Sequence, residues 1–193
     1  MGIIGRILRQ TRVSYNAPVI LTFTVMASAV FALFSITGTS FYHLFSAPTE
    51  FRLFSPITYF RFVSHILGHQ SMQHLSGNFM IILLIGPLVE EKYSSFSLLL
   101  MIVITALATG ILNIILFSTS LMGASGIVFM LIILSSLTNF RRREIPLTFL
   151  LVITIFLGNE VISSFNSDNI SQFAHILGGI CGAGFGLFFV NKR

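Results

Sequence analysis

Residues 94–117 read SSFSLLLMIVITALATGILNIILF, 24 positions without one charged side chain. As a helix rising 1.5 Å per residue, the run is about 36 Å long, enough to cross the roughly 30 Å hydrocarbon core of a bilayer. Outward from it, further apolar stretches can be drawn at about 17–37, 71–89, 125–140, 146–165 and 171–190. Residues 38–70 form the one long connection. Of 193 residues, 54% are hydrophobic and 9% charged, with a mean hydropathy of +0.92; soluble domains carry roughly 25% charged residues. This composition excludes a water-soluble globular protein and leaves no stretch able to bury a second, soluble core. The expected fold is all-α, a polytopic membrane protein of six helices forming a single domain over 1–193.

The net charge of +5 does not point to nucleic acid, because the charges punctuate the apolar stretches and act as topology signals. With a cytoplasmic N-terminus, Arg6, Arg9, Arg12, Lys92, Arg141, Arg142, Arg143, Lys192 and Arg193 fall inside, leaving Arg52 and Arg61 outside. Such asymmetry implies both termini cytoplasmic and loop 38–70 extracytoplasmic; the expected location is the plasma (inner) membrane. The loop's aromatics, among them Phe41, Phe45, Phe51, Phe54, Tyr59 and Phe60, suit the membrane interface. Ala27-Ser28-Ala29 faintly resembles a signal-peptidase site, but the apolar run continues through Ile36, so a retained first helix is expected. A lone Cys181 can build neither a disulfide framework nor a cysteine zinc site within the chain.

Polar groups inside membrane spans are costly and call for a function. In this orientation the second, fourth and sixth segments all start on the extracytoplasmic side, and three polar clusters lie at those starts. The fourth opens with Gly123-Ala124-Ser125-Gly126. Its start offers unpaired N–H donors, although on its own a serine between glycines is weak evidence and better fits helix packing. The sixth carries Ala174-His175, then Gly178, Gly182 and Gly186 at four-residue spacing, a small-residue face that admits a close neighbour. Residues 125–140 as a helix span about 24 Å of a roughly 30 Å core, so Ser125 starts several ångströms below the outer surface, and His175, about one turn into its own helix, matches that depth. The second opens with His69-Gln70-Ser71-Met72-Gln73-His74-Leu75-Ser76-Gly77-Asn78, which puts His74 and Asn78 on one helical face. Asn78 suits stabilising an oxyanion and makes a poor metal ligand. His65, His69 and His74 leave a metal site open as an alternative, but no H-E-x-x-H is present. Asp168 is the one aspartate, in an expected loop. Glu90 and Glu91 fall at the far end of the second helix, and Glu160 is expected near the outer end of the fifth. An aspartate dyad is thereby excluded and a Ser/His/Asp triad disfavoured, leaving a Ser/His dyad with the histidine as base.

These residues together resemble the rhomboid family of intramembrane serine proteases, through H-x-x-x-x-H-x-x-x-N at 69–78, G-x-S-G at 123–126 and A-H-x-x-G-x-x-x-G at 174–182. The likeness extends from Phe60-Arg61, similar to the family's Trp-Arg, through Glu90 to Gly186. It implies a compact six-helix bundle with an outward-opening water-filled cavity, single-pass membrane proteins as substrates, and no cofactor or metal. It further implies Ser125 as nucleophile and His175 as base, with His74, Asn78 and the Ser125 N–H forming an oxyanion hole. Gly123, Gly126, His69, Arg61, Glu90, Gly178 and Gly182 take supporting places. Two departures stand out: Phe129 where the family often has a tyrosine stacked beneath the histidine, and Ser94 where many bacterial members have glycine. The expected function is peptide-bond hydrolysis in single-pass membrane proteins near the outer membrane face. The alternative is a catalytically silent rhomboid-like protein that binds membrane clients; a channel lacks matching polar residues in the inner halves of the helices.

Overall fold

A computed structural model describes residues 14–117, 120–137, 147–148, 150–152, 154–155 and 169–190. Its helices are α1 (Pro18–Thr37), α2 (Pro56–Ser64), α3 (Met72–Tyr93), α4 (Ser95–Leu116), α5 (Ser125–Ser136) and α6 (Asn169–Val190), with 3-10 turns at Gly38–Phe45 and His65–Leu67. There is no strand among the described residues. Helical backbone also occurs at 147–148, 150–152 and 154–155, inside the fifth apolar stretch. The rest of that stretch with Glu160, the Arg141–Arg143 triplet, Asp168, and the basic residues at both termini lie outside the described residues.

By length and composition α1, α3 and α4 can each cross a membrane, α5 is a shorter apolar helix, and α6 carries an apolar stretch over Gln172–Phe188. Each long helix buries one stripe. On α1 it is Ile20, Phe23, Ala27, Val30 and Phe34; on α4 it is Leu98, Met101, Ile102, Thr105, Ala106, Thr109, Gly110 and Asn113. Opposite faces expose Val25, Leu33, Leu100 and Ile104, the arrangement of a bundle whose solvent is lipid rather than water. The 12-residue helix α5 is enclosed on most sides, burying Gly126, Ile127, Val128, Met130, Leu131, Ile133 and Leu134. A helix apolar all round belongs at the centre, and α3, α4 and α6 pack against it.

Two helix ends differ from the apolar stretches. Helix α3 runs past position 89 through Glu90, Glu91 and Lys92 to Tyr93, because Glu90 is buried rather than solvated. Its carboxylate accepts the N–H groups of Val19 (3.0 Å) and Ile20 (3.1 Å). These are first-turn donors of α1, which begins at Pro18 and has no side-chain cap of its own, so Glu90 satisfies and charge-complements that end from across the bundle. Helix α5 stops at Ser136, short of 140. There Ser135 and Ser136 donate to the carbonyls of Ile132 (2.8 Å) and Ile133 (2.7 Å), and the Leu137 N–H turns back to Leu134. These bonds tighten the last turn and satisfy carbonyls that would otherwise be orphaned.

Connection 38–70 is a folded unit. Arg61 on α2 donates to the carbonyls of Ser46 (2.9 Å) and Ala47 (3.0 Å), and Ser64 donates to that of Leu44. Tyr42 packs on Phe34 of α1 with ring centroids 4.3 Å apart, and Phe60 meets Phe45 edge-on at 6.0 Å. Gly110 of α4 brings its backbone against Phe62, where a Cβ would lie 3.0 Å from the carbonyl oxygen. The outer face carries exposed Phe51, Leu53, Phe54 and Ile57, with Phe54 95% accessible.

Candidate active site

Ser125 is the first residue of α5 and is half-buried. The preceding Ala124 offers no side-chain cap, so no cap side chain satisfies the first-turn N–H groups beside the serine. The approach to it, Leu121 to Ala124, is tied down at two points: Ala47 donates its N–H to the Leu121 carbonyl (2.7 Å), and Gly123 donates its N–H to the His65 carbonyl (3.0 Å). Gly123 has φ +131°, which side chains rarely tolerate, and a Cβ there would strike the His74 ring at 2.6 Å. The glycine thus makes the turn possible and lets His74 lie against it.

His175 reaches the same region because α5 and α6 touch backbone to backbone. A Cβ on Gly126 would stand 3.2 Å from the Ala174 carbonyl oxygen, and one on Gly178 would overlap the carbonyl of Gly126. Gly182 repeats this against Met130. Ser125 and His175 are the immediate chain neighbours of Gly126 and Ala174, so they flank the tightest part of this crossing. The His175 ring lies on Phe129, one turn below the serine, with centroids 4.4 Å apart and planes tilted by 37°. Stacking at this position requires a ring and not a hydroxyl.

Ser71 caps α3, accepting the His74 N–H (3.1 Å), and this cap starts the helix that carries His74 and Asn78. Asn78 is buried, with its Nδ2 3.0 Å from His69 Nε2. His69 Nδ1 lies 3.2 Å from the Leu67 carbonyl, which can only accept, so Nδ1 carries the proton and Nε2 is the acceptor. Burial, then the nearby His74, lowers the His69 pKa from 6.5 to about 4, against the raising effect of the Leu67 carbonyl, so the ring is neutral at physiological pH. Asn78 therefore donates one N–H to His69 and keeps its second N–H. The His69 and His74 rings meet edge-on at 5.0 Å.

His65 is occupied elsewhere. It is buried, with Nδ1 3.3 Å from the Arg61 carbonyl and Nε2 3.2 Å from Thr109 Oγ1. Its pKa is lowered by burial to about 4 despite carbonyls that raise it. Among the described residues, no group of three or more His, Cys, Asp or Glu side chains could hold a metal ion. Glu90 caps α1, and Arg61 holds the loop. Sequence reasoning did not single out Thr109, Ala47 or Leu121. Thr109 was detectable as a hydroxyl on an apolar helix; Ala47 and Leu121 act through their backbones, which no side-chain pattern reveals.

The chain matches the family model of the Rhomboid domain over residues 56–192, which takes in α2 through α6 with all three polar clusters. A comparison with curated proteins gives no match. A bundle of apolar helices, a serine at the start of a short central helix and a match covering most of the chain lead to one assignment: this is an integral membrane protein of the rhomboid family.

Proposed function

We propose that this protein is an intramembrane serine protease that hydrolyses peptide bonds of single-pass membrane proteins, with Ser125 as nucleophile and His175 as general base. The close crossing of α5 and α6 at Gly126, Ala174 and Gly178 supports this reading, since Ser125 and His175 are the chain neighbours of Gly126 and Ala174. The His175 imidazole takes the hydroxyl proton as Ser125 Oγ attacks the scissile carbonyl. Negative charge develops on the carbonyl oxygen, where the Ser125 N–H, His74 and the second Asn78 N–H are the donors. The tetrahedral intermediate collapses to an acyl-serine and His175 returns the proton to the leaving amine. Water, activated by the same imidazole, then releases the acyl product. No metal or cofactor enters these steps. The basic asymmetry supports an orientation with both termini in the cytoplasm and the serine toward the extracytoplasmic side, and the membrane we propose is the plasma (inner) membrane.

The test is reconstitution in liposomes with a tagged single-pass substrate. Cleavage by the parent chain, and none by Ser125→Ala or His175→Ala of unchanged thermal stability, supports the dyad. Equal cleavage by either variant removes it. A folded parent chain that retains substrate without cutting it favours the client-binding alternative.

A further inference from the structure

The geometry points to a phosphate-binding pocket on loop 38–70 that takes the headgroup of a phospholipid from the adjoining leaflet. A cavity of about 270 Å³ is lined by Arg52, Arg61 and His43 together with the hydroxyl residues Thr49, Ser55 and Thr58. Cations and hydroxyls converging on one small space form a donor set for a phosphodiester, and arginine matches its oxygens with a planar fork. One carboxylate, Glu50, also lines the cavity. It is paired with Arg52 at 3.1 Å, both side chains being about three-quarters exposed. Such an exposed pair is weak and yields readily to a stronger partner.

Arg61 supplies the main reason for an anion. Its Nε and Nη2 go to the Ser46 and Ala47 carbonyls and the Ser46 hydroxyl, so its hydrogen bonds are to neutral groups. Among the described residues the one salt bridge is Arg52–Glu50, and burial lowers the Arg61 pKa with no opposing carboxylate. A half-buried cation without a counter-charge is costly, and a phosphate in the adjacent cavity offsets that cost. The formal charges of Arg52, Arg61 and Glu50 sum to +1, complementary to one phosphodiester. A lipid source is favoured over free phosphate by the surroundings. Ile57 lines the cavity, Phe51, Leu53 and Phe54 are exposed chain neighbours of its lining residues, and the exposed Tyr59, its ring 6.2 Å from that of Phe51, is of the aromatic type that settles at headgroup depth.

The pocket also has a short physical connection to the serine. Arg61 donates to the Ala47 carbonyl, and the Ala47 N–H donates to Leu121, four residues before Ser125. Ala47 further packs with Leu121 and Ala174 in a small buried cluster, and Ala174 precedes His175. A headgroup that fixes Arg61 therefore steadies both segments of the proposed dyad. This coupling rests on the function proposed above; the binding site itself does not.

Native mass spectrometry of the purified full chain tests the site. Phosphatidylglycerol should be retained, and a galactosyl diacylglycerol of the same acyl chains should not. Arg52→Gln, a change at an exposed residue, should weaken retention about tenfold, the value of one charge-assisted bond, and Arg52→Lys should recover part of it. Equal retention of the galactolipid, or unchanged retention in Arg52→Gln, overturns the pocket. Inorganic phosphate or glycerophosphoglycerol that displaces the lipid at equal concentration overturns the lipid source. For the coupling, phosphatidylglycerol should raise the rate at which a fluorophosphonate labels Ser125 in the parent chain but not in Arg52→Gln. A bound lipid with no effect on that rate contradicts it.

Discussion

His69 Nε2 accepts a hydrogen bond from Asn78 Nδ2 at 3.0 Å, and the Leu67 carbonyl fixes the histidine tautomer that makes this possible. The first histidine of the 69–78 motif therefore orients the asparagine.

That orientation separates oxyanion stabilisation from metal binding. If Asn78 and His74 are oxyanion donors, Asn78→Ala and His74→Ala should each slow turnover roughly a hundredfold, about 3 kcal/mol, without abolishing it. His69→Phe, which removes the acceptor that aims Asn78 together with the bond to the Leu67 carbonyl, should cost about tenfold in kcat with KM unchanged, in line with a lost positioning hydrogen bond. Chelators should have no effect. Inhibition by a chelator reversed by a divalent metal, with a fully active Asn78→Ala, would reopen His65, His69 and His74 as ligands.

Ser94 offers a stability prediction. It joins α3 to α4 at φ +73° and ψ 153° and is the one non-glycine residue with positive φ among the described residues. A side chain there costs roughly 1–3 kcal/mol, while its cap bond to the Ser97 N–H is long at 3.4 Å. Ser94→Gly should therefore raise unfolding stability by about 1 kcal/mol after the lost cap is counted. Denaturation in detergent measures it, and a lower midpoint than the parent would show that the cap outweighs the strain.

Much of this architecture was legible in the sequence. Segments 17–37 and 94–117 were readable as helices because an apolar run and its polar flanks coincide with the structural ends. Helix α3 beyond 89 was not, since Glu90 and Glu91 look like a solvated boundary until the partner of Glu90, the start of α1 some 70 residues away, is known. The 3-10 turns and α2 inside 38–70 were equally hidden, being held by Arg61 contacts to distant carbonyls. Ser125, His175, His74 and Asn78 stood out because polar side chains in apolar helices need a reason. The roles of Ala47 and Leu121 run through backbone groups common to every residue.

Two buried histidines predict the acid behaviour. His65 and His69 have pKa values lowered from 6.5 to about 4 in the folded chain. Between those values the unfolded chain binds protons that the folded chain excludes. Stability should then be flat above about pH 7 and fall progressively as pH drops from 6.5 to about 4, by about 3 kcal/mol per histidine at most. Thermal midpoints across this range check it. His65→Gln should flatten part of the slope whatever its effect at neutral pH, and an unchanged slope would exclude His65 as a contributor.

Orientation is testable through single cysteines placed in a Cys181→Ala background. Phe54→Cys, at the most exposed aromatic of the loop, should react with an impermeant maleimide from outside intact cells, and Arg142→Cys should react only after lysis. The reverse pattern would put the serine on the cytoplasmic side.

The dyad itself is tested most directly by fluorophosphonate labelling in liposomes, with the modified residue located by peptide mass spectrometry. A single adduct on Ser125 in the parent chain, lost in Ser125→Ala and strongly slowed in His175→Ala while both variants keep their thermal midpoint, is the predicted result. An unlabelled Ser125 in the folded parent chain, or labelling at the same rate in His175→Ala, would contradict it.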